Sequence, residues 1–280
     1  MGFFKRHSGR GSYDLFSNHS HCVPGYGGMM GMFLLGALLG NILVGALTFV
    51  SAEFATIYGT VISYPVMFIP PWLYVSAKSR RNEFFETGYA LDSSHFGSLG
   101  GFSMAVIVSI ATMAMAFLAD SLNVLMPEAP EWFEKAMEQI MNAPVWITLI
   151  SVSVFAPLFE EWLCRGMVLR GLLQKTHPVS AIIVSAAFFA VLHMNPWQAI
   201  PAFVLGLLFG YVYYKTGSLK LTMLMHCANN TMAVIISNIP SLAEAETMKD
   251  VMSSWAYICV YIASIIIIAA SLVVFKGIRR

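Results

Sequence analysis

Eight long stretches without a charged residue constrain this chain more than any other feature. They cover residues 29–50, 55–77, 99–119, 145–159, 179–192, 199–214, 221–239 and 252–275. A helix needs roughly 20 apolar residues to cross a bilayer, with a range of about 17–25. Of the 280 residues, 58% are hydrophobic and only 11% are charged, which is more apolar surface than a soluble domain of this length buries. The sequence predicts an all-α polytopic membrane protein with about eight transmembrane helices.

The basic residues indicate the orientation of these helices. Fourteen of the 16 Lys and Arg residues lie in the N-terminal tail, in the segments 78–97, 164–178 and 215–220, or at the C-terminus, and only Lys135 and Lys249 lie elsewhere. Positive residues are retained on the cytoplasmic side of a membrane. We therefore expect both termini to be cytoplasmic. The membrane would be the plasma (inner) membrane in a bacterium and the endoplasmic reticulum in a eukaryote.

Two adjacent carboxylates follow the fourth apolar stretch, in a segment that is predicted to be helical. Glu161 and Arg165 are four residues apart and can form an ion pair on one helical face. Glu160 points about 100° away around the helix and has no cation within one turn. A carboxylate in an apolar environment without a cation readily accepts a proton, as a general base must. Charged groups inside a membrane are costly and usually functional.

Two histidines lie in the helices that follow. Counted from the turn at His177, Glu160 lies 17 residues back and His193 lies 16 residues on, so an antiparallel hairpin places them at similar heights. His226 and Asn230 are four residues apart and share a face of the seventh helix. Each residue alone would suit an ordinary hydrogen bond between helices. Together they indicate a polar site inside the membrane.

One feature of this arrangement fits badly. His193 lies close to Pro196, in what would be an outer turn, whereas His226 is only about seven residues from the inner end of its helix. The two imidazoles can meet only if the turn at Pro196 lies within the membrane, or if the fourth and fifth helices extend into the cytoplasm.

The ordered set of polar residues resembles the CPBP family, named for CAAX proteases and bacteriocin-processing enzymes and also called the Abi family. The resemblance covers about residues 144–236 and implies intramembrane proteolysis. The family motifs EExxxR, FxxxH and HxxxN are matched here by Glu160-Glu161 with Arg165, by Phe189 with His193, and by His226 with Asn230.

The resemblance also implies a role for each catalytic candidate. Glu160 would activate a water molecule with the help of His193. His226 and Asn230 would stabilise the oxyanion of the tetrahedral intermediate. The expected supporting residues are Glu161, Arg165 and Phe189.

No metal and no other cofactor are expected in this scheme. The alternative is a metalloprotease, in which zinc is bound by two histidines and one carboxylate. Its ligands would be His193, His226 and Glu160.

With these roles, the chain divides into four parts. Residues 1–28 are predicted to form a cytoplasmic tail, and residues 29–143 three accessory helices and an outer amphipathic helix at 130–142. That helix either lies passively on the membrane surface or covers a site. Residues 144–238 are the predicted catalytic four-helix core, and residues 239–280 hold an outer loop and the last helix.

The expected partners are the lipid bilayer and a peptide or membrane-protein substrate, with or without a lipid modification, and no nucleic acid. Two other functions remain open. Buried Glu, His and Arg also mark the ion pathways of ion-coupled transporters and proton relays, although these carry inverted repeats or broken helices, which the sequence does not show. A non-catalytic immunity or scaffold protein would keep the same residues for packing alone.

Overall fold

The structure is a computed structural model that describes most of the chain. Apart from residues 6–7 and 25–28, the predicted cytoplasmic tail lies outside the described residues, as do Arg279 and Arg280. The described residues are 6–7, 25–81, 84–85, 91–92, 95–141, 143–243, 245 and 247–278.

Helices account for nearly all the regular structure of this part. A short antiparallel pair of two-residue strands joins β1 (Arg6–His7) to β2 (Phe84–Phe85). The first helices are α1 (Tyr26–Val50), α2 (Ala52–Arg81), α3 (Gly101–Asp120), which continues in a 3-10 turn (Ser121–Leu125), and α4 (Glu131–Met141). The remaining helices are α5 (Val145–Leu172), α6 (Pro178–Leu192), α7 (Pro196–Thr216), α8 (Leu219–Ser237), α9 (Pro240–Ala243), α10 (Met248–Val251) and α11 (Ser254–Gly277).

Local sequence signals explain where the site-bearing helices begin and end. Proline opens both α6 and α7, where its missing N–H costs nothing. The side chains of Asn195 and Ser218 accept hydrogen bonds from the first turns of α7 and α8. Gly217 ends α7 in the left-handed conformation, with φ of 68°.

The helices confirm the predicted all-α membrane fold. Within the described residues, six helices are long and apolar enough to cross a membrane, namely α1, α2, α3, α5, α7 and α11. The apolar helix α6 is shorter, and α8 carries several polar residues on its 19-residue length. Together these eight helices correspond to the eight uncharged stretches. The orientation of the termini stays a prediction.

One assignment in the count of basic residues is wrong. That count treats residues 164–178 as an inner loop, but α5 continues to Leu172, and the turn begins only after it, close to the turn predicted at His177. Arg165 and Arg170 are fully buried in this helix. Of the 14 basic residues that favour cytoplasmic termini, 12 therefore remain.

The helix α5 alternates between two helical geometries. It is π-helical over Leu149–Phe155 and Trp162–Leu169 and α-helical over Ala156–Glu161 between them. A π-helical turn is wider than an α-helical turn and is frequent at functional sites. The two adjacent carboxylates close the α-helical segment, so they lie where the helix changes its geometry.

Packing places α5 at the centre of the site. It contacts α2, α6 and α8, while α1 packs along α2 and α3 packs against α7, α8 and α11. The close approach of α6 to α7 depends on Gly206, since a Cβ atom there would lie 3.1 Å from both the Cα and the Cβ of Ala186. This contact brings the two helices that follow the carboxylates close together.

Candidate active site

A cavity of about 480 Å³ brings the four predicted catalytic residues together. Its wall includes Glu160 of α5, His193 at the end of α6, and His226 and Asn230 of α8. The predicted amphipathic helix at 130–142 is present as α4 and contributes Met137 and Ile140 to this wall. The helices α1 and α2 contribute Phe33, Thr60, Tyr64 and Met67. Side chains of residues 29–143 and of residues 144–238 thus line the same cavity. The division of the chain into an accessory part and a catalytic core stays a prediction.

Glu160 is buried but has a hydrogen-bond donor. The hydroxyl of Tyr64 on α2 donates to its Oε1 atom. The other oxygen, Oε2, is also buried and has no hydrogen-bond partner among the described residues. Glu160 forms no ion pair within the described part of the chain, in agreement with the helical spacing, and one of its carboxylate oxygens is without a partner there.

Glu161 and Arg165 form the ion pair that their spacing predicts. Arg165 Nη1 lies 2.8 Å from Glu161 Oε1, and both side chains are completely buried. Arg165 Nη2 donates to the carbonyl oxygen of Gly206 at 3.2 Å. The guanidinium carbon lies 4.5 Å from the ring centre of Phe189 and 5.3 Å from that of Phe209. The arginine thus links α5 to α6 and α7.

His226 is bound by the same carboxylate. Its Nδ1 atom lies 3.0 Å from Glu161 Oε1, the oxygen that also accepts from Arg165. An ionised carboxylate can only accept hydrogen bonds, so Nδ1 carries the proton of this contact. The Nε2 atom of His226 is left for a further partner.

Phe189 positions both imidazoles. Its ring centre lies 5.2 Å from that of His193 and 5.4 Å from that of His226, and both rings are nearly perpendicular to it. His193 Nδ1 lies 3.0 Å from the carbonyl oxygen of Phe189, one helical turn earlier. The phenylalanine of the FxxxH motif is therefore a shared support for the two histidines.

The helix α6 is short and ends at the first histidine of the site. Its 15 residues span about 22 Å at a rise of 1.5 Å per residue, which is less than a hydrocarbon core of about 30 Å. The helix ends at His193, where Met194 adopts a positive φ of 55° and Asn195 Nδ2 donates to the His193 carbonyl at 2.8 Å. The helix α5 has 28 residues and spans about 42 Å, so a turn within the membrane and an extension of α5 beyond it both stay predictions.

Asn230 has a defined amide orientation. Its Nδ2 atom donates to the carbonyl oxygen of Val152 at 2.8 Å, and its Oδ1 atom accepts from Asn229 Nδ2 at 3.0 Å. The Val152 carbonyl oxygen can only accept a hydrogen bond, so the Asn230 Nδ2 atom must face it. The contact of Oδ1 with Asn229 agrees with this orientation of the amide. One N–H bond of the Asn230 amide remains available to a ligand.

The proposed zinc ligands do not form a compact cluster. In the described part of the chain, no group of three or more His, Cys, Asp or Glu side chains is arranged to hold a metal ion. The Nδ1 atoms of His193 and His226 are already occupied by Phe189 and Glu161. A zinc ion would have to bind the two Nε2 atoms together with Glu160.

The comparison with protein families covers this site. Residues 142–232 match the family model described as type II CAAX prenyl endopeptidase Rce1-like. The matched segment is an Rce1-like domain. It contains all three motifs and confirms the resemblance to the CPBP family. No curated protein and no solved structure matches the chain.

The Rce1-like domain and the apolar helices together define the class of protein. The chain is an integral membrane protein with a domain of the CAAX-protease type. The domain begins just before α5 and ends within α8, so it contains the four catalytic candidates.

Two residues of the site carry no motif signal. Tyr64 lies in the uncharged stretch 55–77, outside the Rce1-like domain, and nothing in the sequence relates it to Glu160. Asn229 is next to a motif residue, but its contact with Asn230 depends on the side-chain conformation. Adjacent residues on a helix normally point about 100° apart, so the sequence gives no reason to expect that contact.

Proposed function

We propose that the Rce1-like domain hydrolyses a peptide bond of a membrane-associated substrate with a water molecule that Glu160 activates. The observation that supports this proposal is the shared cavity. Glu160 lines it together with His193, His226 and Asn230, and its buried Oε2 atom has no hydrogen-bond partner among the described residues. We propose the plasma membrane as the location in a bacterium and the endoplasmic reticulum in a eukaryote.

The proton transfers follow from the chemistry of a carboxylate base. Glu160 Oε2 takes one proton from the water as the water oxygen attacks the carbonyl carbon of the scissile bond. When the tetrahedral intermediate collapses, the C–N bond breaks and the leaving nitrogen takes that proton from Glu160. His193 assists by orienting the water through its free Nε2 atom, since its Nδ1 faces the Phe189 carbonyl.

The other two residues stabilise the negative charge of the intermediate. His226 donates from Nε2, which requires a proton on each ring nitrogen, and its Nδ1 proton is held by the Glu161 carboxylate. Asn230 donates the N–H bond that the Val152 carbonyl does not use. Donors that are held in place before the reaction stabilise the transition state without reorganisation.

A peptide-cleavage assay tests the proposal. The purified protein is incubated in detergent with a farnesylated C-terminal tail peptide and, separately, with its unmodified form, and the products are identified by mass spectrometry. We expect Glu160→Gln to stay folded but to lose activity, because the amide has the same shape and cannot take a proton. Glu134→Gln, an exposed change on α4, is the matched control.

The possible outcomes separate the alternatives. Cleavage by the parent and by the control variant, without cleavage by Glu160→Gln, supports a glutamate base. Comparable activity of Glu160→Gln contradicts it. If the parent cleaves neither peptide, a transporter or a non-catalytic scaffold gains support.

A further inference from the structure

A polar group from outside the Rce1-like domain contacts the proposed base. Tyr64 lies on α2, which packs against α5, and its hydroxyl donates to Glu160 Oε1. The matched family segment begins only at residue 142. This hydrogen bond therefore connects a helix without any recognised motif to the centre of the site.

Aromatic stacking holds the Tyr64 ring in place. Its centre lies 5.9 Å from that of Phe68, with 22° between the ring planes. Phe68 in turn stacks on Phe159 at 5.2 Å and 17°. Because Phe159 directly precedes Glu160 in α5, the stack keeps the hydroxyl in register with the carboxylate.

The hydrogen bond makes the two oxygens of Glu160 different. The last side-chain torsion of a glutamate is broad and nearly two-fold, so a free carboxylate can rotate and exchange its oxygens. The Tyr64 hydroxyl restrains that rotation by occupying Oε1, which leaves Oε2 as the oxygen without a partner among the described residues.

We propose that Tyr64 is a positioning residue for Glu160. It holds Oε1, so that Oε2 is the oxygen that takes the proton from the water molecule. This inference rests on the proposed function of Glu160. The α1–α2 hairpin then completes the active site, and the Rce1-like domain without this hairpin would lack the orienting hydrogen bond.

The variant Tyr64→Phe removes the hydroxyl and keeps the stacked ring. The free energy of a hydrogen bond to a charged group is large enough that its loss should lower kcat roughly ten- to a hundredfold. We expect KM to change by less than about twofold. The thermal midpoint should stay close to that of the parent. Tyr58→Phe is the matched control, because Tyr58 lies on the same helix and its ring contacts Phe54 and Trp146, away from the cavity.

A second variant separates positioning from packing. Replacing Tyr64 by 4-aminophenylalanine keeps the ring and restores an N–H donor, so it should recover part of the kcat that Tyr64→Phe loses. A role in packing alone predicts no difference between these two variants. Even if Tyr64→Phe lowers the thermal midpoint, the difference in kcat between these two variants still distinguishes positioning from packing.

The results distinguish this inference from the proposed function. If Glu160→Gln is inactive while Tyr64→Phe keeps the kcat and KM of the parent, Tyr64 does not position the base, but the glutamate mechanism stands. A rise in KM with unchanged kcat would make Tyr64 a substrate contact and overturn the inference. If Glu160→Gln is fully active, both proposals fail.

Discussion

Glu161 Oε1 lies 3.0 Å from His226 Nδ1, although the two residues are 65 positions apart in the chain. The same oxygen accepts from Arg165 at 2.8 Å, so one buried carboxylate contacts both an arginine and a histidine. The second glutamate of the EExxxR motif therefore does more than neutralise the arginine. It holds the Nδ1 atom of His226, so the Nε2 atom is the one left for a further partner.

The buried ion pair predicts a loss of stability when it is broken. Removing one partner of such a pair costs about 3–5 kcal/mol, because the other charge stays buried without compensation. We expect Arg165→Ala to lower the thermal midpoint in detergent, and the addition of Glu161→Gln to recover part of the loss. Lys135→Ala is the control, since Lys135 and Glu131 form an exposed pair, and exposed pairs contribute little. If the double variant loses as much stability as the two single variants lose together, the result would contradict this ion pair.

The oxyanion role of Asn230 predicts a kinetic defect. Its contribution arises in the transition state, so Asn230→Ala should lower kcat more than it raises KM. Removal of one oxyanion donor typically lowers the rate about 10²–10³-fold. Steady-state kinetics on the peptide that the parent cleaves measure both constants. An unchanged kcat would exclude Asn230 from the oxyanion site.

Metal analysis separates the two chemistries. In the metal-free scheme, His226→Ala lowers activity without a change in metal content. In the zinc scheme, His226 is a ligand, so His226→Ala loses bound metal and activity together, and a chelator inactivates the parent. Elemental analysis of the purified parent and variant decides between them. One zinc per chain that is lost in His226→Ala would show that the metal-free mechanism is wrong.

The close packing of α1 on α2 can be tested at two glycines. A Cβ atom at Gly36 would overlap the backbone carbonyl of Met67 on α2, whereas a Cβ atom at Gly45 meets nothing within 4 Å. Overpacking of this kind typically costs about 1–3 kcal/mol. We expect Gly36→Ala to lower the thermal midpoint and Gly45→Ala not to lower it, since alanine is the better helix former where its Cβ meets nothing. Equal midpoints for the two variants would contradict the packing of this hairpin.

The orientation of the termini is tested with single cysteines in a cysteine-free background. Lys220, Glu128 and Lys249 are exposed, which suits a membrane-impermeant thiol reagent. We expect Lys220→Cys to react only from the cytoplasmic side, and Glu128→Cys and Lys249→Cys only from the other side. Labelling of Lys220→Cys from outside would reverse the predicted topology.

The sequence alone determined the membrane fold and the identity of the polar residues. Lipid must cover long uncharged stretches, and a helix satisfies its own backbone hydrogen bonds, so the number and type of elements follow from composition and length. The Glu161–Arg165 pair follows in the same way, because contacts four residues apart depend only on local helical geometry.

Only the tertiary structure decided how the helices meet. The contact of Glu161 with His226, the shared support by Phe189 and the hydrogen bond from Tyr64 all join separate helices. Which faces of two helices pack together depends on close approaches such as that at Gly206. It also depends on the point where α6 ends, at His193. These contacts depend on how separate helices pack, so the spacing of residues along a single helix cannot predict them.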